Sequence, residues 1–361
     1  MSATLTAEQS IPTQKLKSFT DLKKARAETQ PLNALSSIKK IAPRVRDEFM
    51  ASGKVLAVRQ FSCSVSPYPT VYGFHTTYGG LHPYLYFNNR ATLVQFLENG
   101  EVKNFLFNPI FPEYSEKAPF YVTLRANIPS FIPEAVFVKR ERSIINQLAD
   151  VGIRSDDIDY ISYDHLHVQD LRPLMGLQNG QAALFPNAKF VFPRKEWESV
   201  VNLHPSVSEW YVPQGIAGVR EENLVLYDDD LFFGPGLALI LTPGHTAGNH
   251  SLYVHSDAGT MTISENGVGP DAYNPENSKI NSVRQAAKDR GWEVVLNANT
   301  LDYRLDQYNS MVLEKLLSGP AKNPDFCNHH SSSEFTTWIS APGLSPSYEH
   351  GSVNCGSLKL R

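Results

Sequence analysis

Short apolar runs broken by Pro, Gly and Asn alternate along this chain with stretches whose apolar residues recur at helical spacing. Helical spacing is seen at Leu16–Arg26 and Leu35–Phe49, and β-rich runs follow at Val55–Val58, Tyr84–Phe87 and Asn104–Phe107. The Asn99-Gly100 step between Leu93–Leu97 and Val102–Phe107 predicts a tight hairpin turn. Arg142 to Ala149 puts Ile144, Ile145 and Leu148 on one helix face, and Gly152 closes that helix. Ile158–Ile161 and Lys189–Phe192 read as strands, with a helix over Glu196–Leu203. Leu237–Leu241 is a continuous apolar strand, followed by Ser251–Val254, Thr260–Ser264, a last strand at Val294–Leu296 and a helix near Gln307–Leu317. Strands and helices mix without a regular alternation, which predicts two mixed sheets with helices outside them. Residues 1–50 read as an N-terminal extension, either an oligomerisation arm or a disordered tail, 51–320 as the main domain, and the Ser/Pro-rich stretch 321–361 as a C-terminal tail.

Composition narrows the function classes. With 361 residues and 42% hydrophobic content, the chain is long enough to bury a large core. A net charge of -4 without a basic stripe argues against nucleic acid as a partner. No apolar run is long enough to span a membrane, and no apolar leader is visible, so a cytoplasmic location is expected. The 3 cysteines are too scattered for a disulfide framework or a cysteine zinc site.

Three histidines carry the candidate chemistry. His165 and His167 lie two apart just after a strand, a spacing that turns both imidazoles to one side. His245 follows Leu237–Leu241 at a Pro-Gly break, where Gly244 and Gly248 let the backbone approach a site closely. Asp164 is a candidate for orienting one imidazole, or for capping the strand end.

Three stretches in register carry a family likeness: Ile158–Ile161 with His165-x-His167; Leu184–Lys189 continuing to Glu196-Trp197-Glu198; and Thr242–Gly248 with Ser251-Leu252. The chain resembles the metallo-β-lactamase superfamily from about Val55 to Leu317. The resemblance implies an α/β fold of four αββα layers with a metal cleft at one edge. It implies His165, His167 and His245 as ligands of a first divalent ion, zinc being favoured at one per chain.

The sequence departs from the family pattern at the second metal. Gln169 stands where the family has Asp, Asp170 where it has His, Asn266 at the metal-bridging Asp, and Asn299 at the last His. Amide oxygens are weak ligands, whereas the carboxylates of Asp170 and Glu265 remain strong ones. Asp170, Glu265 and Asn266 are therefore the candidate catalytic residues, with Asp170 and Asn266 also candidate ligands. His329-His330 offers a replacement ligand from the tail.

The expected function is a mononuclear metal-dependent hydrolase that uses metal-bound water on a small-molecule substrate. A lactone, ester or thioester is favoured by the Phe/Tyr/Pro-rich segment 55–137 and the lack of a Gly-rich phosphate loop. The alternatives are a hydrolytic dehalogenase and a non-catalytic ligand-binding member of the fold. A homodimer is the expected assembly.

Overall fold

The computed structural model describes residues 16–299 and 303–360. Two sheets lie face to face. The first holds β1 (Ala57–Pro69), β2 (Tyr84–Glu98), β3 (Glu101–Phe107), β4 (Lys139–Arg140), β5 (Tyr160–Ser162), β6 (Lys189–Pro193) and β7 (Leu224–Tyr227). The second holds β8 (Leu231–Gly234), β9 (Leu237–Leu241), β10 (His250–Ser256) and β11 (Gly259–Ser264). Three late strands complete both: β12 (His329–Ser331), β13 (Ser333–Thr336) and β14 (Asn354–Gly356).

The sequence accounts for this pairing locally. At the β2–β3 hairpin Leu97 faces Val102, and Asn99 (φ 52°) and Gly100 (φ 86°) take the two left-handed positions of the turn. After that hairpin the sheet changes character, since β5 runs parallel to β3 and β6 parallel to both β5 and β7. Parallel pairing needs crossovers, and the helices Ile144–Asp150 and Arg194–Val201 lie in them. The second sheet is antiparallel from β8 to β11, with β12 added parallel to β11.

The inner faces bury Val94, Phe96, Phe105, Leu239, Leu252 and Ile263 against one another. Outside the first sheet, Ile144, Leu148 and Trp197 from the crossover helices pack on residues such as Leu93 and Phe190. Outside the second, Phe19, Leu22, Ile38 and Phe49 pack with Leu313 and Leu317 on Phe232, Ala238, Ile240 and Tyr253. The layers are thus helix, sheet, sheet, helix.

Three segments add to or change their sequence reading. The described part of the 1–50 extension forms helices Lys17–Arg26 and Pro31–Ala51, whose buried face is spent on this chain's own second sheet; residues 1–15 lie outside the described residues. Val294–Leu296 is fully buried but joins no ladder, because its backbone bonds go to loops, as with Val295 N donating to the Ala272 carbonyl at 2.7 Å. The 321–361 stretch supplies β12, β13 and β14, pairing with β11, β2 and β1 respectively. Its short, serine-rich strands carry no apolar alternation, so period-2 patterning misses them. Among the described residues, no helix is long and apolar enough to cross a membrane.

Candidate metal centre

The site grows from two turns at the ends of strands. β5 stops at Ser162, and Asp164, His165 and His167 follow in a turn. β9 stops at Leu241, and a loop returns to β10 through Gly244, His245 and Gly248. The loop is closed by Thr242 N donating to the Asn249 carbonyl (3.0 Å) and tied to the first turn by His250 N donating to the Asp164 carbonyl (3.0 Å). Glycine is required in it by close approach. A Cβ at Gly244 would lie 2.2 Å from the Gln307 Cα, and one at Gly248 would lie 2.3 Å from the Glu196 nitrogen. The first turn carries Val168 at φ 55°, a β-branched residue in left-handed backbone, which costs about 1–3 kcal/mol.

The three imidazoles converge. Ring centroids lie 4.7 Å apart for His165 and His167, 4.5 Å for His165 and His245, and 5.0 Å for His167 and His245. His167 Nδ1 and His245 Nε2 face each other at 3.3 Å. His165 Nδ1 donates to Asp164 Oδ1 at 2.8 Å, which turns Nε2 of that ring away from the carboxylate. Ser332 Oγ donates to the other Asp164 oxygen at 2.5 Å. Burial opposes ionisation of Asp164, yet the His165 and Ser332 interactions outweigh it and hold the carboxyl below its usual range. Burial, with His165 alongside, pushes His167 and His245 well below the ordinary imidazole value, so both rings are neutral at pH 7. Neutral imidazoles with facing nitrogens are the donor chemistry a divalent transition ion takes, so the residues present fit such an ion.

A buried carboxyl from the helix Arg194–Val201 joins the two turns. Glu196 Oε1 accepts from Leu166 N (2.8 Å) and Oε2 from Thr246 Oγ1 (2.6 Å), each beside a histidine. Burial raises its pKa. Sequence reading noted Glu196 only within a family-like stretch. A charged residue on the inner side of an amphipathic helix was the available signal.

Two of the residues expected at the second metal, Asp170 and Asn266, are engaged outside the cleft. Asp170 is buried but forms a two-pronged pair with Arg172 (Nε–Oδ1 and Nη2–Oδ2, both 2.7 Å), and Lys117 stands 3.6 Å away. It does not line the cleft and does not join the histidine cluster. Asn266 is also committed: Oδ1 accepts from His245 N (3.0 Å), while Nδ2 donates to the Thr242 carbonyl (3.0 Å) and to Glu314 Oε1 (2.9 Å). It positions the His245 loop, and its side chain does not line the cleft. Gln169, Asn299 and Glu265 do line the cleft; Thr300, next to Asn299, lies outside the described residues. Glu265 Oε2 accepts from Ser333 N at 2.8 Å, and burial, then the Asp164 charge, holds its carboxyl well above the usual range.

None of the remaining histidines joins the cluster of three. His250 Nε2 meets Ser162 Oγ at 3.0 Å between the sheets. His329 stacks on Tyr273 (3.8 Å), and His330 lies beside His350 (4.2 Å), so neither supplies the missing ligand. From the histidines the cleft extends along Tyr68, Ile110, Phe120, Leu124 and Ile128, with Trp210 beside His167.

No protein-family model matches the chain. N-acyl homoserine lactonase AiiA of Bacillus thuringiensis subsp. kurstaki is 28% identical over 117 residues, 32% of this chain and 41% of that protein. AttM of Rhizobium radiobacter, also an N-acyl homoserine lactonase, is 26% identical over 125 residues, 32% of this chain and 43% of its own length. The chain thus spans about two fifths of the curated relatives it matches. A probable metal-dependent hydrolase from Staphylococcus aureus superposes with a TM-score of 0.50 at 18% identity, covering 72% of this chain and 83% of that one. The chain has the metallo-β-lactamase fold. On that fold, Asp170 and Asn266 are bonded within this chain, to Arg172 and to the His245 loop respectively.

Proposed function

We propose that the chain is a metal-dependent hydrolase that opens a lactone or a related ester or thioester. The observation that carries this is the convergence of His165, His167 and His245 at the head of a cleft with an apolar wall. The matching relatives, N-acyl homoserine lactonases, act on substrates of this kind, which agrees with the reading.

His165, His167 and His245 would hold one zinc ion. Bound there, the ion supplies Lewis acidity towards the substrate carbonyl and acidifies a water molecule. The protein's part follows from its own contacts. Asp164 fixes the tautomer of His165 and balances charge behind it. Glu196 ties the two turns to each other, and Asn266 anchors the His245 loop. Glu265 faces the same cleft, and burial, then the Asp164 charge, raises its carboxyl above the usual range. A cation at the histidines acts in the opposite sense on that carboxyl, so Glu265 is poised to take or return a proton as the ring oxygen leaves. Phe120, Leu124 and Ile128 offer an apolar track for a substrate chain, and they exclude water from it.

The test is hydrolysis of a panel of N-acyl homoserine lactones, aryl esters and thioesters by the full-length protein. Activity is expected to vanish with chelator, return with zinc, and fail in His165→Ala and His245→Ala. Undiminished metal content and turnover in both variants would overturn the reading.

A further inference from the structure

A second set of metal-competent side chains converges outside the cleft, in the C-terminal strands. His330 in β12, Glu334 in β13 and His350 in the approach to β14 bring donor atoms within 4.8 Å of one another. His330 is 2% exposed and Glu334 1%, and the His350 side chain is 2% exposed.

Hydrogen bonds determine which nitrogens carry lone pairs. Asn328 Nδ2 donates to the Thr260 carbonyl at 2.9 Å, so its Oδ1 is the atom facing His330 Nε2 at 3.2 Å. His330 Nε2 therefore donates, and Nδ1 bears the lone pair. That Nδ1 is buried without a hydrogen-bond partner among the described residues. His350 Nε2 lies 3.0 Å from the Cys327 carbonyl, an atom that only accepts, so the neutral ring again bears its lone pair on Nδ1. This Nδ1 faces Glu334 Oε1 at 3.2 Å. The other Glu334 oxygen accepts from Arg90 Nη1 at 2.6 Å, which keeps the carboxylate ionised.

Two acceptors facing each other in a buried space require a cation. A proton on His350 would satisfy Glu334 and complete an ion triad with Arg90, but it leaves His330 Nδ1 unanswered. A metal ion satisfies all three groups. We propose that His330, Glu334 and His350 form a second site for a divalent transition ion, with zinc as its occupant. Two imidazoles and a carboxylate are a zinc-competent set, and both distal nitrogens are already held by oxygens that orient the rings. Ligand atoms around tetrahedral zinc sit about 3.3 Å apart, so rotation of side chains suffices to close the set.

The site has a direct line to the cleft. Between its ligands lie Ser332, whose Oγ donates to Asp164 Oδ2, and Ser333, whose N–H donates to Glu265 Oε2. An ion gripping positions 330 and 334 fixes the strand that positions both carboxyls.

Zinc content of the full-length protein tests this. About two zinc ions per chain are expected, with His330→Ala and Glu334→Gln each losing one and His245→Ala losing the other. Chelator competition should also show zinc held about ten-fold more weakly at the remaining site of His330→Ala, since outer-shell support contributes 10–100-fold. Zinc-edge anomalous density between His330 and His350 in the unmutated protein is expected and does not depend on how the variants fold. Anomalous density at the three cleft histidines alone, or zinc content unchanged by both His330→Ala and Glu334→Gln, overturns the second site and leaves the cleft reading standing. Density between His330 and His350 but none at the cleft does the reverse.

Discussion

Two groups of polar residues follow strand ends near the cleft and differ in where their side chains point. On the side of His165, His167 and His245, nitrogens face one another across a gap, and a carboxylate behind them leaves a donor atom turned inward. On the side of Asp170 and Asn266, each polar atom is already matched within the protein, by Arg172 in one case and by His245 N–H, Thr242 and Glu314 in the other. Buried polar groups must find partners. Where an amide or carboxylate is matched on all sides the position becomes structural, and where imidazole nitrogens face one another the position suits a ligand.

The largest expected effect breaks the first group. His167→Ala or His245→Ala should reduce lactone hydrolysis to background and remove the ion at the cleft, read by turnover and zinc analysis. Asp164→Asn removes the acceptor charge behind His165 and should weaken zinc at the cleft about 10–100-fold, measured by chelator competition. Asn266→Ala probes the second group. It strands the His245 N–H and a donor-seeking Glu314, so a loss of about 2–3 kcal/mol in unfolding free energy is expected, from denaturant titration.

A pH effect bears on the layer between the sheets. Burial holds His250 neutral, with its pKa pushed down to about 3. The unfolded chain takes up that proton near the ordinary imidazole value of about 6.5, so the stabilisation is complete above that pH and is lost as pH falls towards 3. The slope from this group is at most about 1.4 kcal/mol per pH unit, and His250→Gln should flatten it in denaturation at pH 7 and pH 5. The smallest effect is expected for Asp170→Asn, which should leave kcat within about three-fold, whereas loss of a general base costs about 10²–10⁴. A large drop in kcat would return Asp170 to the cleft.

The architecture and the three histidines were legible because their signals are local. An apolar run ending in a glycine-flanked histidine, or two histidines two apart after a strand, can be read within a few residues. The fate of Asp170 depended on its orientation towards Arg172, two residues on, which spacing alone does not reveal. Asn266 was placed by register at an ion, while its amide was matched to three partners, one of them 48 positions away at Glu314. Glu196 was passed over for the same reason, since its partner Thr246 is 50 positions distant. The C-terminal strands escaped notice because serine and histidine carry no apolar rhythm, although their backbones pair with both sheets.

Those late strands also govern when the cleft can exist. Ser332 reaches Asp164 across 168 positions of sequence, and Ser333 reaches Glu265 across 68. On a ribosome adding about 5–20 residues per second, the stretch from Asp164 to Ser332 takes on the order of ten seconds to emerge. Through that interval the histidine turns can form, but the carboxyls behind them lack their anchors. A nascent chain interrupted before residue 332 would therefore carry all three cleft histidines and still lack both anchors, so assembly of the centre is a late event in the life of each molecule.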